Sequence, residues 1–393
     1  MKSPLRIITT GMAVTYPFGG VFWDYMQYPL GLHKLGHEVL YLEDTGKWCY
    51  DPAAQTWVED GSANAAAFAN HLAKLSPELA QRWHYRDVSG KTHGWDAARV
   101  AEFCRSADLL LHISASCWLR DDYLKVKRIA FVDSDPMYTQ ASLFGGDDPA
   151  KAAEKLKWWT DHHQVFFTFG EKVGQADCLV PTGPIKWRPT RQPVVLDAWQ
   201  PARVPVAQRR QVLTTVASWE PTEKGPSYGG VQYGGKSTEF ARFIDLPAHL
   251  PVPIEVALSG PAPHDRLRQH GWQVRDGLDV SRDPWLYRAY LANSLAECSV
   301  AKNAYVASRS GWFSCRSACY LALGVPAIVQ DTGWSDVIQP GAGLVAFTTI
   351  DEAADAIRRL AADPQRHAKA ALEVAHEWFA ADRVLANLLV QAA

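Results

Sequence analysis

The stretch from Ser308 to Gly333 constrains the fold more than any other part of this sequence. Ser314 stands where a helix N-cap is expected, small and apolar residues follow it, and Gly324 is typical of a helix end. Ala327 to Val329 then form a short apolar run that predicts a buried strand. A helix followed at once by a buried strand is typical of an α/β fold with a parallel sheet.

Both ends of this unit are expected to face a ligand. In an open parallel sheet, ligands bind at the carboxyl ends of strands and at helix N-termini, where backbone N–H groups and the helix dipole attract anions. The alternative is an ordinary capped helix with a tight turn after it. The candidate ligand-binding residues are Ser310, Gly311, Trp312, Ser314, Arg316 and Ser317 at the helix start, and Gln330, Asp331, Thr332 and Gly333 after the strand. Among them, Ser314, Arg316 and Ser317 add side-chain donors to the helix N-terminus, which suits a diphosphate.

The same segment resembles the nucleotide-sugar-binding unit of two-domain glycosyltransferases of the GT-B architecture. Ser310 to Ser317 match its loop and helix start, Ala322 to Pro326 match its small-residue turn, and Gln330 to Gly333 match its polar loop. Arg316, eight residues before Gly324, stands where spore-coat-type relatives carry an arginine. The resemblance implies an α/β protein with two Rossmann-like domains that face each other across a cleft, with the donor bound by the second.

The sequence departs from this pattern at two positions. Retaining members with this layout place two glutamates eight residues apart, one of them five residues before the turn glycine. Counted back from Gly324, these positions hold Cys319 and Gly311, and neither side chain is a carboxylate. The resemblance therefore implies donor binding and disfavours retention by that route.

An inverting displacement needs a general base on the acceptor side of the cleft. Asp24 stands where inverting relatives often keep that base, in a loop predicted after the first strand. Asp135 is the second choice, because it follows the apolar run from Arg128 to Val132 and is expected at a strand end. The alternative role for Asp135 is to cap the next helix or turn.

Chain length and composition set broad limits. A chain of 393 residues predicts two domains. The net charge of −2 gives no electrostatic indication of nucleic acid, so the expected partners are a small-molecule donor and acceptor. The apolar opening is too short for a signal peptide or a transmembrane segment, and we therefore expect a cytoplasmic protein. The seven cysteines are scattered without a C-x-x-C pair, and they predict neither a disulfide framework nor a zinc site.

Four prolines between Pro181 and Pro193 are typical of a linker. We therefore predict an acceptor-side domain over 1–205, a donor-binding domain over 206–380, and a C-terminal helix over 381–393 that crosses back to the first domain.

Glycines mark two further candidate loops. Gly19 and Gly20 follow the first predicted strand and permit close approach of a ligand to the backbone, although they form no dinucleotide fingerprint. In the second half, several glycines precede Lys236, which resembles the basic residue that many GT-B enzymes direct at the donor diphosphate. The alternative for Lys236 is a solvated side chain.

These features predict a glycosyltransferase of the hexosyltransferase type that moves a sugar from a nucleoside-diphosphate sugar to an acceptor, with inversion. The nucleotide sugar is the co-substrate, and neither a cofactor nor a metal is expected. A nucleotide-sugar epimerase, another nucleotide-sugar enzyme on the same plan, and a non-catalytic nucleotide-sugar-binding protein are the alternatives.

We expect sugar transfer to survive a chelator, because helix-terminal amides, Arg316 and Lys236 are expected to offset the charge of the leaving diphosphate. Turnover is measured with and without EDTA. A loss of turnover that Mg²⁺ or Mn²⁺ restores contradicts this expectation and points to Asp133 and Asp135 as ligands.

Overall fold

The computed structural model describes residues 4–145, 148–219 and 225–393. In the first half, the described residues form an eight-stranded sheet in the order β10-β9-β8-β7-β1-β2-β5-β6, in which β5 and β6 are antiparallel and the other neighbours are parallel. A separate hairpin, β3–β4, follows β2. The strands are β1 (Arg6–Thr10), β2 (Glu38–Glu43), β3 (Cys49–Asp51), β4 (Thr56–Val58), β5 (Trp83–Arg86), β6 (Thr92–Gly94), β7 (Leu109–Ile113), β8 (Ile129–Asp133), β9 (Val165–Thr168) and β10 (Trp187–Pro189).

Helices connect the parallel strands of this sheet. Two of them begin at aspartates whose carboxylates accept backbone N–H groups of the first turn, namely Asp96 and Asp148. The helices of this half are α1 (Gly19–Lys34), α2 (Ser62–Leu75), α3 (Ala97–Ser106), α4 (Tyr138–Phe144), α5 (Pro149–His162) and α6 (Leu196–Trp199).

The second half contains a six-stranded, all-parallel sheet in the order β15-β14-β11-β16-β17-β18 among the described residues. A short hairpin, β12–β13, lies apart from it. The predicted α/β class with two parallel-sheet halves is confirmed. The strands are β11 (Leu213–Ser218), β12 (Ser227–Tyr228), β13 (Val231–Gln232), β14 (Ile254–Ser259), β15 (Gln273–Asp276), β16 (Ala296–Ser299), β17 (Ala327–Gln330) and β18 (Leu344–Phe347).

The helices of the second half cover both faces of this sheet and end the chain. A π-helical turn, Ala375–Phe379, precedes the last helix. The helices are α7 (Lys236–Arg242), α8 (His264–Gln269), α9 (Leu278–Ser281), α10 (Pro284–Ala292), α11 (Asn303–Ala307), α12 (Cys315–Ala322), α13 (Ile350–Ala362), α14 (Pro364–Val374) and α15 (Ala381–Ala392).

The predicted helix–turn–strand unit is present. Ser314 occupies the N-cap position of α12, although its side chain makes no capping hydrogen bond. Gly324 follows the helix with a φ of +70°, a conformation that favours glycine, and β17 begins three residues later.

The loop predicted around Gly19 and Gly20 is instead the first turn of α1, and Asp24 lies on that helix. Glycine is a poor helix former, so local propensity favours a loop here. Tertiary packing overrides it, because a Cβ atom on Gly19 would lie 2.5 Å from the Cβ atom of Tyr287 in α10. The glycines allow α1 to approach α10, and the helix forms within that contact.

The last helix returns to the first half of the chain. A Cβ atom on Gly31 of α1 would lie 2.5 Å from Leu385 Cδ1 and 3.1 Å from Ala381 Cβ of α15. Val194 and Ala380 form a parallel bridge beside this contact. The proposed boundary near residue 205 falls between β10 and β11, and the domain limits stay a prediction. None of the helices in residues 4–145, 148–219 and 225–393 is long and apolar enough to cross a membrane.

Gly343 and Gly341 provide a matched test of packing in the loop before β18. A Cβ atom on Gly343 would lie 2.1 Å from the backbone nitrogen of Ala371 in α14, whereas a Cβ atom on Gly341 meets nothing within 4 Å. We expect Gly343→Ala to lower the free energy of unfolding by about 1–3 kcal/mol, because the two backbones must separate. Gly341→Ala is the control, expected to unfold like the wild type in a denaturant titration. Equal stability of the two variants contradicts this account of the packing.

Candidate active site

A cleft of about 410 Å³ lies between the two sheets, at the carboxyl ends of their strands. From the first half it is lined by the start of α1 and by the loop after β8. From the second half it is lined by the ends of β11 and β14, by α10 and by the N-terminus of α12. Of the residues proposed from the sequence, the cleft brings together Gly20, Asp24, Asp135, Lys236, Trp312, Ser314 and Arg316.

Asp24 projects into this cleft from α1 and is partly buried. Burial raises the pKa of its carboxyl group to about 7, and Asp135 acts in the same direction, while the positive charge of Arg316 opposes the shift. A carboxyl group with a pKa near neutrality accepts a proton far better than an ordinary aspartate. Asp24 therefore lies on the cleft with a carboxyl group that is more basic than that of an ordinary aspartate.

Asp135 is a weaker candidate for the base, because it is engaged with two side chains of the second half. Its Oδ1 atom accepts hydrogen bonds from Lys302 Nζ, at 2.8 Å, and from the Tyr305 hydroxyl. Burial acts to raise its pKa, but Lys302 and Tyr305 outweigh burial and the pKa is lowered. These hydrogen bonds link Asp135 in the first half of the chain to Lys302 and Tyr305 in the second half.

Asp133, the other acid of this loop, is fully buried and accepts hydrogen bonds from Thr139, Gln140 and Thr168. It anchors the end of β8 and does not line the cleft. Among the described residues, the group with metal-ligand spacing is Asp60, Asp87 and His93, which lies outside the cleft. The Lys91 ammonium already lies 3.4 Å from Asp60 there.

Arg316 lines the cleft, but its guanidinium group is committed to protein partners. Its Nε atom lies 2.7 Å from Oε1 of the buried Glu297, Nη1 donates to the Val216 carbonyl at 2.6 Å, and Nη2 donates to Ser299. Removing Arg316 therefore does more than delete one contact to a bound donor. It also leaves Glu297 without a charge partner, because Glu297 has no other among the described residues.

Two lysines flank the same cleft. Lys236 begins α7, as its position after the glycines predicts, and its Nζ atom donates to the Val300 carbonyl at 2.8 Å. Residues 220–224 of the loop before it lie outside the described residues. Lys302, missed in the sequence, follows β16 and contacts Asp135. Its place just after a strand end was the available signal.

Ser310 and Gly311 contact the first half of the chain and do not line the cleft. The Ser310 carbonyl accepts from the Lys172 backbone N–H at 3.1 Å. Gly311 has a φ of +75°, and a Cβ atom on it would lie 2.8 Å from the Lys172 nitrogen. This contact excludes any larger residue at Gly311, including the glutamate that the retaining pattern places there. Trp312 does line the cleft, where it stacks on Tyr305 with ring centroids 4.3 Å apart.

The remaining predicted donor residues support the cleft from behind. Gln330 accepts from the Ala301 N–H and donates to Glu239, and Thr332 donates to the Trp312 carbonyl. Asp331 accepts from the Gly333 N–H, and Gly333 takes a left-handed conformation at the start of a short 3₁₀ turn. Ser317 is buried, with a hydroxyl that has no hydrogen-bond partner among the described residues. None of these five residues, Ser317 included, lines the cleft, and Gly19 packs against α10 beside it.

Comparisons with known proteins agree with this architecture. Residues 242–389 match a family model described as glycosyl transferase-like. Two-domain glycosyltransferase structures superimpose on nearly the whole chain. Residues 242–389 are therefore glycosyl transferase-like, and the chain as a whole has the GT-B fold.

Three structures illustrate the likeness. An α-glucosyltransferase in complex with UDP and a 13-mer DNA has a TM-score of 0.61 and 9% identity, covering 99% of this chain and 100% of that chain. Sucrose-phosphate synthase from Thermosynechococcus elongatus has a TM-score of 0.52 and 10% identity over 99% and 100% of the two chains. AviGT4, a glycosyltransferase involved in avilamycin A biosynthesis, has a TM-score of 0.50 and 13% identity over 99% and 97%. At these identities the likeness establishes the fold of the chain. No curated protein matches its sequence.

The expectation that nucleic acid is not a partner is wrong. It rested on the net charge of −2. Several α-glucosyltransferase structures that superimpose on this chain are complexes with DNA. Net charge describes the whole surface, whereas a partner meets the local charge around one cleft. The composition of the chain therefore does not exclude this class of partner.

The Arg316–Glu297 pair generates a prediction on stability. We expect Arg316→Ala to lower the free energy of unfolding by about 3–5 kcal/mol, because it leaves the buried Glu297 carboxylate without its partner. The double variant Arg316→Ala/Glu297→Gln is expected to recover part of this loss, since the uncompensated charge is gone. Denaturant titration of both variants tests the pair. An Arg316→Ala variant as stable as the wild type contradicts it.

Proposed function

We propose that this enzyme transfers a sugar from a nucleoside-diphosphate sugar to an acceptor hydroxyl, with inversion and without a bound metal. The observation that carries the proposal is the Asp24 carboxyl group, whose pKa is raised to about 7 in a cleft shared by both halves of the chain. The deprotonated carboxylate of Asp24 takes the acceptor proton while the acceptor oxygen attacks the anomeric carbon. Inversion follows from a single displacement on the face opposite the leaving group.

The leaving diphosphate lies against the second half of the chain in this proposal. The N-terminus of α12 offers backbone N–H groups on the cleft, and Ser314 and Arg316 line the cleft beside it. Lys236 and Lys302 add positive charge from two other elements. These groups support departure of a diphosphate without a metal.

The absence of a carboxylate at residue 311 supports inversion over the retaining alternative. The close approach of Lys172 to Gly311 leaves no room for a side chain there. An anion that stabilises a positively charged anomeric centre is therefore not supplied from this position. A nucleotide-sugar epimerase fits the cleft less well, because such an enzyme acts on the donor alone and does not need an acceptor-side base.

The cytoplasmic location of the protein stays a prediction. The acceptor is to be found with a panel of candidate molecules. The α-glucosyltransferases of this fold were solved with DNA, so DNA belongs in any acceptor panel. Release of nucleoside diphosphate that depends on an acceptor distinguishes a transferase from an epimerase, which needs only the donor. A binding protein releases none with either.

We expect Asp24→Asn to lower turnover at least about a hundredfold with little change in donor affinity, because the amide cannot accept the proton. In the wild type, kcat/KM is expected to fall about tenfold per pH unit below about pH 7, as Asp24 becomes protonated. Asp265→Asn, at an exposed side chain outside the cleft, is the matched control and is expected to leave both quantities unchanged.

NMR of the anomeric centre in the product gives an independent check of stereochemistry. A retained configuration removes the single-displacement mechanism. Near-normal turnover in Asp24→Asn would show that Asp24 is not the general base, and Asp135 would then be the next residue to test.

A further inference from the structure

Aromatic side chains form a continuous series from the cleft to the surface of the first half. Phe18 lines the cleft, and its ring centroid lies 5.2 Å from that of Tyr50. The ring centroid of Tyr50 lies 5.3 Å from that of Trp57, which in turn lies 5.6 Å from that of Tyr16. Because Trp57 remains 48% exposed, this series ends at solvent and does not close into a core.

Two more indole rings lie on the neighbouring loops. Trp48 directly precedes β3 and is 48% exposed, and Trp118 follows β7 and is 65% exposed. The six-membered ring of Trp118 covers Gly46, with its Cε3 atom 3.2 Å from where a Cβ atom would stand. These loops follow β2 and β7, the two strands on either side of β1, at the edge of the sheet where the cleft also lies. We call Tyr16, Trp48, Tyr50, Trp57 and Trp118 the aromatic platform.

The backbone under the aromatic platform is held in place. Buried Glu43 accepts hydrogen bonds from the Val14 N–H at 2.9 Å and the Thr15 N–H at 2.6 Å. The Asn64 amide donates to the Val14 and Tyr50 carbonyls, each at 2.9 Å. The backbone N–H of Trp118 donates to the Asp44 carbonyl at 2.6 Å. A ligand therefore meets rings whose loops are already ordered, which reduces the entropic cost of binding.

The exposure of these rings to solvent indicates that they bind a partner. Among the described residues, three of the four exposed tryptophans belong to the aromatic platform, the fourth being Trp158 on α5. Clustered exposed apolar groups mark binding surfaces, and an indole presents a flat apolar face together with one N–H donor. The C–H faces of a pyranose ring stack on such a surface, while its hydroxyls need hydrogen-bond partners.

The polar groups around the rings suit those hydroxyls. Asp51, Gln55 and Glu59 lie in or beside the β3–β4 hairpin and offer oxygen acceptors. Lys47 is the one cation in the sequence from residue 44 to residue 60. Arg120 and Lys91 reach this segment from elsewhere in the chain, and they are paired with Asp44 and Asp60. Flat apolar rings bordered by hydroxyl acceptors favour a neutral saccharide as the occupant.

We propose that the aromatic platform is an acceptor subsite for a saccharide chain, whose terminal sugar enters the cleft past Phe18 while the preceding units stack on Trp57 and Trp118. The inference rests on the proposed function in that it makes this saccharide the acceptor. It adds a substrate class and a binding surface outside the cleft.

The test is direct binding of soluble hexasaccharides to the full chain, with maltohexaose, cellohexaose and chitohexaose as probes. We expect at least one of them to bind the wild type and to bind Trp57→Ala and Trp118→Ala at least tenfold more weakly by calorimetry. Trp158→Ala, an exposed tryptophan outside the aromatic platform, is the matched control and is expected to bind like the wild type. Circular dichroism checks folding, and Trp118→Phe is expected to recover part of the affinity if stacking is the interaction.

Affinity for UDP and GDP is measured on the same variants and separates this inference from the proposed function. Unchanged nucleotide affinity with lost hexasaccharide affinity supports the subsite. The chain could also bind a hexasaccharide through Trp57 and Trp118 while it binds no nucleotide and transfers no sugar. That result would support the saccharide site and contradict the proposed glycosyltransferase function.

Three results overturn the inference. They are no binding of any of the three hexasaccharides, binding that both platform variants retain in full, and binding of single-stranded DNA, in place of the saccharides, that is lost in Trp57→Ala.

Discussion

The cleft depends on how closely α1 approaches α10 across the two halves of the chain. Gly19 permits that approach, because any side chain there would collide with Tyr287 and with the Asp283 carbonyl. The Trp23 indole donates to the Pro284 carbonyl at 2.8 Å and fixes the contact. With α1 held in this position, Asp24 on its next turn lies between the two sheets. A wider separation would return Asp24 to water and lower its pKa.

Charge inside the cleft is balanced across the same boundary. Arg316 is held by Glu297 behind it, and its remaining field reaches Asp24 from the opposite half. Asp135 of the first half is bound by Lys302 and Tyr305 of the second. Lys172 of the first half pairs with Asp336 of the second. Because each half supplies partners for charges of the other, the groups on the cleft are oriented before any substrate arrives.

The packing of this cleft helps to explain why the sequence identity to known structures of the same fold is low. A GT-B fold needs parallel sheets, helix N-termini at a shared edge and a returning C-terminal helix, and many sequences meet those needs. The residue type at a position beside the cleft can change when the packing around it changes as well. Gly311 is an example, since the backbone of Lys172 occupies the space that a carboxylate side chain would take.

The sequence by itself determined the α/β class and the helix–turn–strand unit from Ser314 to Gln330, whereas Asp24 became a candidate through resemblance. The features that fixed the unit are local: an N-cap position, a helix-ending glycine and an apolar run. Tertiary structure alone decided that Gly19 begins a helix, that Gln330 and Thr332 support the cleft from behind, and that Arg316 is bound to Glu297. Each of these depends on a contact between residues distant in the chain, and such contacts leave no periodic signal in the sequence.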